Sequence, residues 1–264
     1  MSTKTLWGGR AGGRWTGRLA SVDSRLMGHV FDGQVALVTG GGKGIGLGIA
    51  EALSKGGARV VITGRNKAVL DDALGSLTGD RLAVSMDVRS DESVHAGIDE
   101  AVRWGGKLDI VVNNAGIGLL QTPLLETTAE VFRDVIDTNL TGAFTVSKAS
   151  WPHLIASKGQ ILNISSIAGT QGFKGASAYC ASKFALSGLT EVLKREGEEF
   201  GIRALSLCPG PVDTDIWGEW ATDEEKGKMM TASQLGSLAA TLLGSPRNID
   251  LSQLVVINAV SPWV

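Results

Sequence analysis

The sequence predicts an α/β domain built on a doubly wound, mostly parallel sheet of about seven strands, with helices on both faces. Three observations predict it. Seven short runs of Val, Ile, Leu and Ala recur along the chain, apolar at nearly every position rather than at alternate ones, as strands covered on both faces require. Longer stretches with helical patterning separate them. A glycine cluster sits directly behind the first run, where a strand hands over to a helix.

The runs follow in order. Val35-Ala36-Leu37-Val38 comes first, then Val60-Val61-Ile62, Leu82-Ala83-Val84, Ile110-Val111-Val112, Ile161-Leu162-Asn163-Ile164, Ala204-Leu205-Ser206-Leu207 and Leu254-Val255-Val256-Ile257. Between them, 48–55, 91–104, 129–150 and 182–200 are expected as helices. Alternation of this kind implies right-handed βαβ crossovers. Ligands of such sheets bind beyond the carboxyl ends of the strands, so the chemistry is expected there.

Composition bounds the rest. A chain of 264 residues that is 43% apolar can bury one substantial core, and a single domain is expected over 27–264, with a lid at about 211–233. Residues 1–26 stand apart, with Lys4, Arg10, Arg14, Arg18 and Arg25 against one acid, Asp23. An Arg-rich, acid-poor leader is one form of organelle transit peptide, but the helical amphipathic spacing is poor here; a peripheral extension on a cytoplasmic protein is expected. The formal charge of −2 offers nothing to nucleic acid or to an anionic membrane. No apolar run reaches the ~18 residues of a spanning helix. Cys180 and Cys208 lie outside any CxxC pattern and read as free thiols of a reducing compartment. His29, His95 and His153 lack metal-ligand spacing, and no metal is expected.

The glycines have a local explanation. Thr39-Gly40-Gly41-Gly42-Lys43-Gly44-Ile45-Gly46 directly follows the first strand, with Gly40, Gly44 and Gly46 in a TGxxxGxG arrangement. Glycine lets backbone approach a pyrophosphate, and the helix beyond offers unpaired N–H groups and the positive end of its dipole. A dinucleotide is the expected ligand. Proteins that select NAD place an acid about 20 residues further on, for the ribose 2′-hydroxyl. Here that position falls on Gly64, and Arg65 follows at once. Lys43 would face the same corner. Two cations and no carboxylate suit a 2′-phosphate, so NADP(H) is expected ahead of NAD.

Further motifs then appear in a telling order: Asp87-Val88 after the third strand, Asn113-Asn114-Ala115-Gly116 after the fourth, Asn139 in DTNLTGAF, Ser166 in ILNISSIAG, Tyr179 and Lys183 in AYCASK, and Pro209-Gly210 in LCPGPVDT. From Val30 to Ile257 the chain resembles the short-chain dehydrogenase/reductase family. The resemblance implies a Rossmann-type fold, a homodimer or homotetramer, and carbonyl reductase chemistry on a small ketone, aldehyde or secondary alcohol. It implies that Thr39, Gly40, Gly44, Ile45 and Gly46 cradle the coenzyme and that Asp87 and Val88 contact adenine. Asn114, Ala115 and Gly116 would border the ribose, and Pro209, Gly210, Val212 and Thr214 would line the nicotinamide end. Ser166, 13 residues before Tyr179, matches the family spacing better than its neighbour Ser165. The resemblance implies that Asn139 holds a water next to Lys183, which is compatible with its being a buried amide that bonds backbone within its helix.

The residue types also suit the chemistry directly. Tyr179 is the single tyrosine of the chain and precedes Lys183 by four residues, so on a helix the two share a face. A phenol titrates near ~10, too high for a base at neutral pH. A neighbouring ammonium and a positive nicotinamide ring favour the phenolate. Tyr179 is then expected as general acid and base, with Ser166 donating to the developing alkoxide. Lys183 would lower the phenol's pKa and bond the nicotinamide ribose. The competing reading is a catalytically silent NADP-binding regulator, which would need no proton donor.

The substrate end is legible in outline. Ile216, Trp217, Trp220, Met229 and Met230 of the lid either meet an apolar carbonyl compound or anchor the lid on the core. Residues 117–120 and 172–174 are expected as further walls, with Lys174 meeting an anionic group or standing in solvent. The ending GSPRNIDLSQLVVINAV is similar to that of small carbonyl and alcohol oxidoreductases, and unlike that of acyl-carrier-protein reductases.

Overall fold

The computed structural model describes residues 29–118, 121–218 and 221–258. The expected extension at 1–26 lies outside them, as do Trp220 and residues 119–120 of the expected substrate wall. The apolar runs become the strands Val35–Thr39 (β1), Arg59–Gly64 (β2), Arg81–Ser85 (β3), Ile110–Asn113 (β4), Gln160–Ile164 (β5) and Arg203–Pro209 (β6), and, after a two-residue pair, Val212–Asp213 (β7) with Met230–Thr231 (β8), the last strand Gln253–Val256 (β9). The seven long ones form a parallel sheet in the order β3-β2-β1-β4-β5-β6-β9. The order reverses between β1 and β4, which is where a doubly wound sheet opens its ligand crevice. The predicted fold class holds.

Helices cover both faces: Gly44–Lys55 (α1), Lys67–Ala73 (α2), Asp91–Gly105 (α3), Ala129–Ile136 (α4), Gly142–Ser157 (α5), Ser177–Gly197 (α6), Asp223–Lys226 (α7) and Ala232–Leu243 (α8). Alternate residues of β1 serve opposite layers. Ala36 and Val38 pack with Ile49 and Leu53 of α1 and Leu235 of α8. Val35 and Leu37 pack with Ile98 of α3, Val146 of α5 and Leu193 of α6. Side chains of this size stabilise the fold by about 1.5–3 kcal/mol each when fully buried, which is why both faces read as apolar in sequence. Among the described residues no helix is long and apolar enough to cross a membrane.

Three helices differ from expectation. α1 starts at Gly44, so the last glycines of the loop form its first turn. α6 starts at Ser177, which places Tyr179 in its first turn and Lys183 one turn later. The single helix expected over 129–150 is split by a π-turn at Asp137–Thr141. α2 and α8 were not expected as helices; Asn66 caps α2 through Ala68 N and Val69 N, and Thr231 with Gln234 forms a capping box on α8.

Candidate active site

The carboxyl ends of β1, β4, β5 and β6 open into a cleft of about 1400 Å³. Its floor is stitched by Thr39, the last residue of β1. The Thr39 hydroxyl donates to Val112 O and accepts from the N–H groups of Asn114 and Ala115, at 3.0–3.2 Å. The Asn114 amide returns to Thr39 O at 2.9 Å and Gly40 O at 3.2 Å. Thr39 and Asn114 thus hold the glycine loop against the β4 turn, and a Cβ on Gly46 would overlap both Gly40 O and the Asn114 amide.

The glycine loop fits a phosphate. Lys43 is the N-cap of α1 with extended backbone, its side chain does not cap the helix, and no acid stands in the first turn. The first N–H groups therefore meet no side-chain acceptor at that end, the arrangement that takes an anion. Gly40, Lys43, Gly44, Ile45, Arg65, Asp87, Val88, Ala115 and Gly116 all line the cleft. Beyond the glycine loop the Asp87 carboxylate is engaged by Arg89, through Nε at 3.2 Å and Nη2 at 2.9 Å, and this bond holds its pKa below the usual carboxylate value. Arg65 adds a weaker pull on the same group. Lys43 does not stay free for that corner: its ammonium pairs with Asp215 at 2.8 Å.

Three groups converge at the other end. The Ser166 hydroxyl accepts from Ala168 N at 3.1 Å, capping the short turn Ile167–Gly169, which leaves its own hydrogen for another acceptor. Burial pushes the phenol of Tyr179 up, and the Ser166 hydroxyl beside it draws the pKa back down in part. Ser165 faces elsewhere, donating to Lys183 O and bonding Ser187 Oγ, both at 3.1 Å. Lys183 is buried at 5% exposure, donates from Nζ to Ile164 O at 2.8 Å, and stands 5.6 Å from the centroid of the Tyr179 ring. Burial lowers its pKa to about 8.

Asn139 lies in the π-turn and is buried. Its carbonyl accepts from Ile117 N at 2.8 Å, and its amide donates to Ile117 O at 2.9 Å and Ser182 Oγ at 3.1 Å. These bonds run across to the β4 loop and to α6, not within its own helix. An extra residue in a helical turn re-aims a side chain in this way.

The lid follows β6. Gly210 N donates to Val256 O at 2.7 Å, and Val212 pairs with Met230. Pro209, Gly210, Val212 and Thr214 line the cleft together with Ile216 and Trp217. The Trp217 indole donates to Val212 O at 2.8 Å. Met229 is buried and Met230 packs on the core beneath the lid, so both anchor it. Lys174 is exposed at the rim beside half-buried Phe173. Arg89, Asp215 and Ser182 escaped the sequence reading. Arg89 directly follows the Asp87-Val88 pair and had a positional signal, whereas Asp215 meets its partner across 172 positions and had none.

Comparison with known proteins agrees with this geometry. The family profile described as short chain dehydrogenase matches residues 34–225. An L-fucose dehydrogenase of Bos taurus is 37% identical over 74% of this chain and 72% of its own length, and one of Oryctolagus cuniculus is 34% identical over 88% and 81%. Among solved structures, a 3-ketoacyl-(acyl-carrier-protein) reductase from Brucella melitensis complexed with NADH superimposes with a TM-score of 0.80 at 30% identity, over 85% of this chain and 97% of that one. An alcohol dehydrogenase from the archaeon Thermococcus sibiricus, complexed with 5-hydroxy-NADP, gives 0.77 at 26% identity, over 84% and 95%. A glycine loop at the switch point, a sheet of this order and a profile match across most of the domain lead to one conclusion: the chain belongs to the short-chain dehydrogenase family of oxidoreductases, which bind a nicotinamide coenzyme.

Proposed function

We propose that this protein is an NADP(H)-dependent oxidoreductase that interconverts a small ketone or aldehyde and the corresponding alcohol, with Tyr179 as general acid and base. The observation that carries the proposal is the convergence of Ser166, Tyr179 and Lys183 in one cleft that also contains the glycine loop. When bound, the coenzyme supplies the hydride acceptor or donor. The glycine loop and the first turn of α1 hold its phosphates, and Arg65 is the cation for a 2′-phosphate. Arg89 and Asp87 shape the adenosine end, Ala115 and Gly116 border the ribose, and Thr214 closes the nicotinamide end.

The chain's residues then handle the proton. In reduction, the Tyr179 O–H delivers a proton to the carbonyl oxygen and Ser166 Oγ donates a hydrogen bond to the same oxygen as charge develops on it. In oxidation, the phenolate takes the hydroxyl proton. Lys183 supplies the positive charge that makes a phenolate tolerable, and Asn139 holds the Ile117 wall against α6. Ile216, Trp217 and Phe173 give the substrate end an apolar lining, and Lys174 stands ready at its rim. Phe144, Phe184 and Val192 expose apolar surface on α5 and α6, which supports a homodimer or homotetramer.

The test is a panel of ketones, aldehydes, secondary alcohols and aldoses including L-fucose, run in both directions with NADP and NAD. Turnover is expected with NADP ahead of NAD. Tyr179→Phe is expected to lower turnover by about 10² or more while dinucleotide binding, followed by protein fluorescence, is retained. Tight NADPH binding without turnover of any compound would instead favour a regulatory protein.

A further inference from the structure

The Lys43–Asp215 pair joins two parts of the cleft that the sequence keeps far apart. Lys43 belongs to the glycine loop, Asp215 to the first turn of the lid, and their side chains meet at 2.8 Å while 69% and 77% exposed. The two segments are in close approach at this point. Gly44 has φ +53°, and a Cβ there would lie 3.2 Å from Thr214 Cγ2. The bond holds Asp215 below its usual carboxylate pKa, and Lys226 lies near enough to add to that effect. Asp215 therefore has a second cation within reach of its field, whereas Lys43 has no other acidic partner among the described residues.

We propose that Asp215 is a specificity-determining residue, which sets dinucleotide selectivity by competing with the coenzyme's phosphate for Lys43. The inference rests on the NADP(H) reading above. A carboxylate and a phosphate oxygen make the same demand on an ammonium, and one ammonium meets them both only at a cost in geometry. With Lys43 drawn to the lid, the 2′-phosphate depends on Arg65. Removing the carboxylate's charge returns Lys43 to the phosphates. The pair is solvent-exposed, so neither side chain is needed for folding.

Titration calorimetry with NADPH and NADH on the wild type, Asp215→Asn, Lys43→Ala, the double variant and Arg65→Ala tests this without turnover. Asp215→Asn is expected to tighten NADPH by about fivefold, the upper end for an exposed ion pair, and NADH by clearly less. Lys43→Ala is expected to weaken NADPH little in the wild type but to abolish the gain in the Asp215→Asn background. An unchanged NADPH/NADH ratio in Asp215→Asn overturns the proposal, and so does an equal weakening of both, which would make Asp215 a strut of the lid. The Arg65→Ala arm reports on the 2′-phosphate separately. A gain at Asp215 with Arg65 inert leaves the competition standing and removes the Arg65 assignment; an Arg65 effect with no gain at Asp215 does the reverse.

Discussion

The ammonium of Lys183 stands 5.6 Å from the centroid of the Tyr179 ring and donates at 2.8 Å to Ile164 O, so the phenol and the ammonium are fixed side by side at one corner of the cleft. Burial moves both toward their neutral forms: the phenol upward, the ammonium down to about 8. The protein alone therefore keeps Tyr179 protonated at neutral pH, the state that suits a proton donor. The expected depression of the phenol is not met by the protein alone, since Ser166 offsets burial only in part.

Lys183 makes stability depend on pH in a definite direction. Its ordinary pKa of 10.5 falls to about 8 on folding, a shift equivalent to roughly 3 kcal/mol. Below pH 8 the group is charged in both states, and the full cost of burying the charge opposes folding. Between 8 and 10.5 the folded chain releases the proton first, and the cost fades. Lys183→Met is expected to raise the melting temperature at pH 7 and to lose that advantage by pH 10.5, the lost bond to Ile164 O offsetting about 1 kcal/mol throughout. Thermal scans across that range check it; a difference that grows with pH contradicts it.

The two adjacent serines are expected to separate cleanly. Ser166→Ala removes the hydroxyl beside Tyr179 and the acceptor for Ala168 N, and is expected to lower kcat by about 10² at a cost of about 1 kcal/mol of stability. Ser165→Ala removes the bonds to Lys183 O and Ser187 Oγ. It is expected to cost about 1 kcal/mol of stability and to leave kcat within about threefold. Steady-state kinetics and urea midpoints on both variants read the contrast.

Asn139 is expected to act through position. Asn139→Ala leaves Ile117 N–H and Ile117 O without their buried partner, at about 1–3 kcal/mol. KM for the carbonyl compound should rise more than KM for the coenzyme if Ile117, which lines the cleft, meets the substrate as proposed. Asn139→Asp keeps the acceptor for Ile117 N but loses both donated bonds, so it should fall between. Equal effects on both Michaelis constants would contradict the assignment.

What the sequence made legible is what local spacing controls. Continuous Val/Ile/Leu runs predicted all seven sheet strands, because covered faces favour apolar side chains, although Asn163 and Ser206 are buried within them and the edge strand β9 is only partly covered. Tyr179 and Lys183 were readable together because a four-residue step on a helix is one turn. The π-turn was not readable, since DTNLTGAF carries helical periodicity and the break comes from a bond between Asn139 and a loop 22 residues away. Nor was Asp215, whose partner is set by how the lid lies on the glycine loop. Lys43 shows the same limit from the other side. Its charge and place in the loop were plain, but the acid that holds it comes from the far end of the fold.

The tethering of the lid has a consequence for how such a protein diversifies. Val212 and Asp213 pair with Met230 and Thr231, so the chain leaves and rejoins the domain at adjacent points, and Thr231 starts α8 at once. The stretch between is a cassette with both of its ends clamped. Lengthening a closed loop costs little, since the entropy grows only with the logarithm of its length. Replacing 218–229 wholesale, which spares Thr214 and Asp215 at the glycine loop, is therefore expected to change which compounds are accepted while leaving the sheet, the glycine loop and the Tyr179 corner undisturbed.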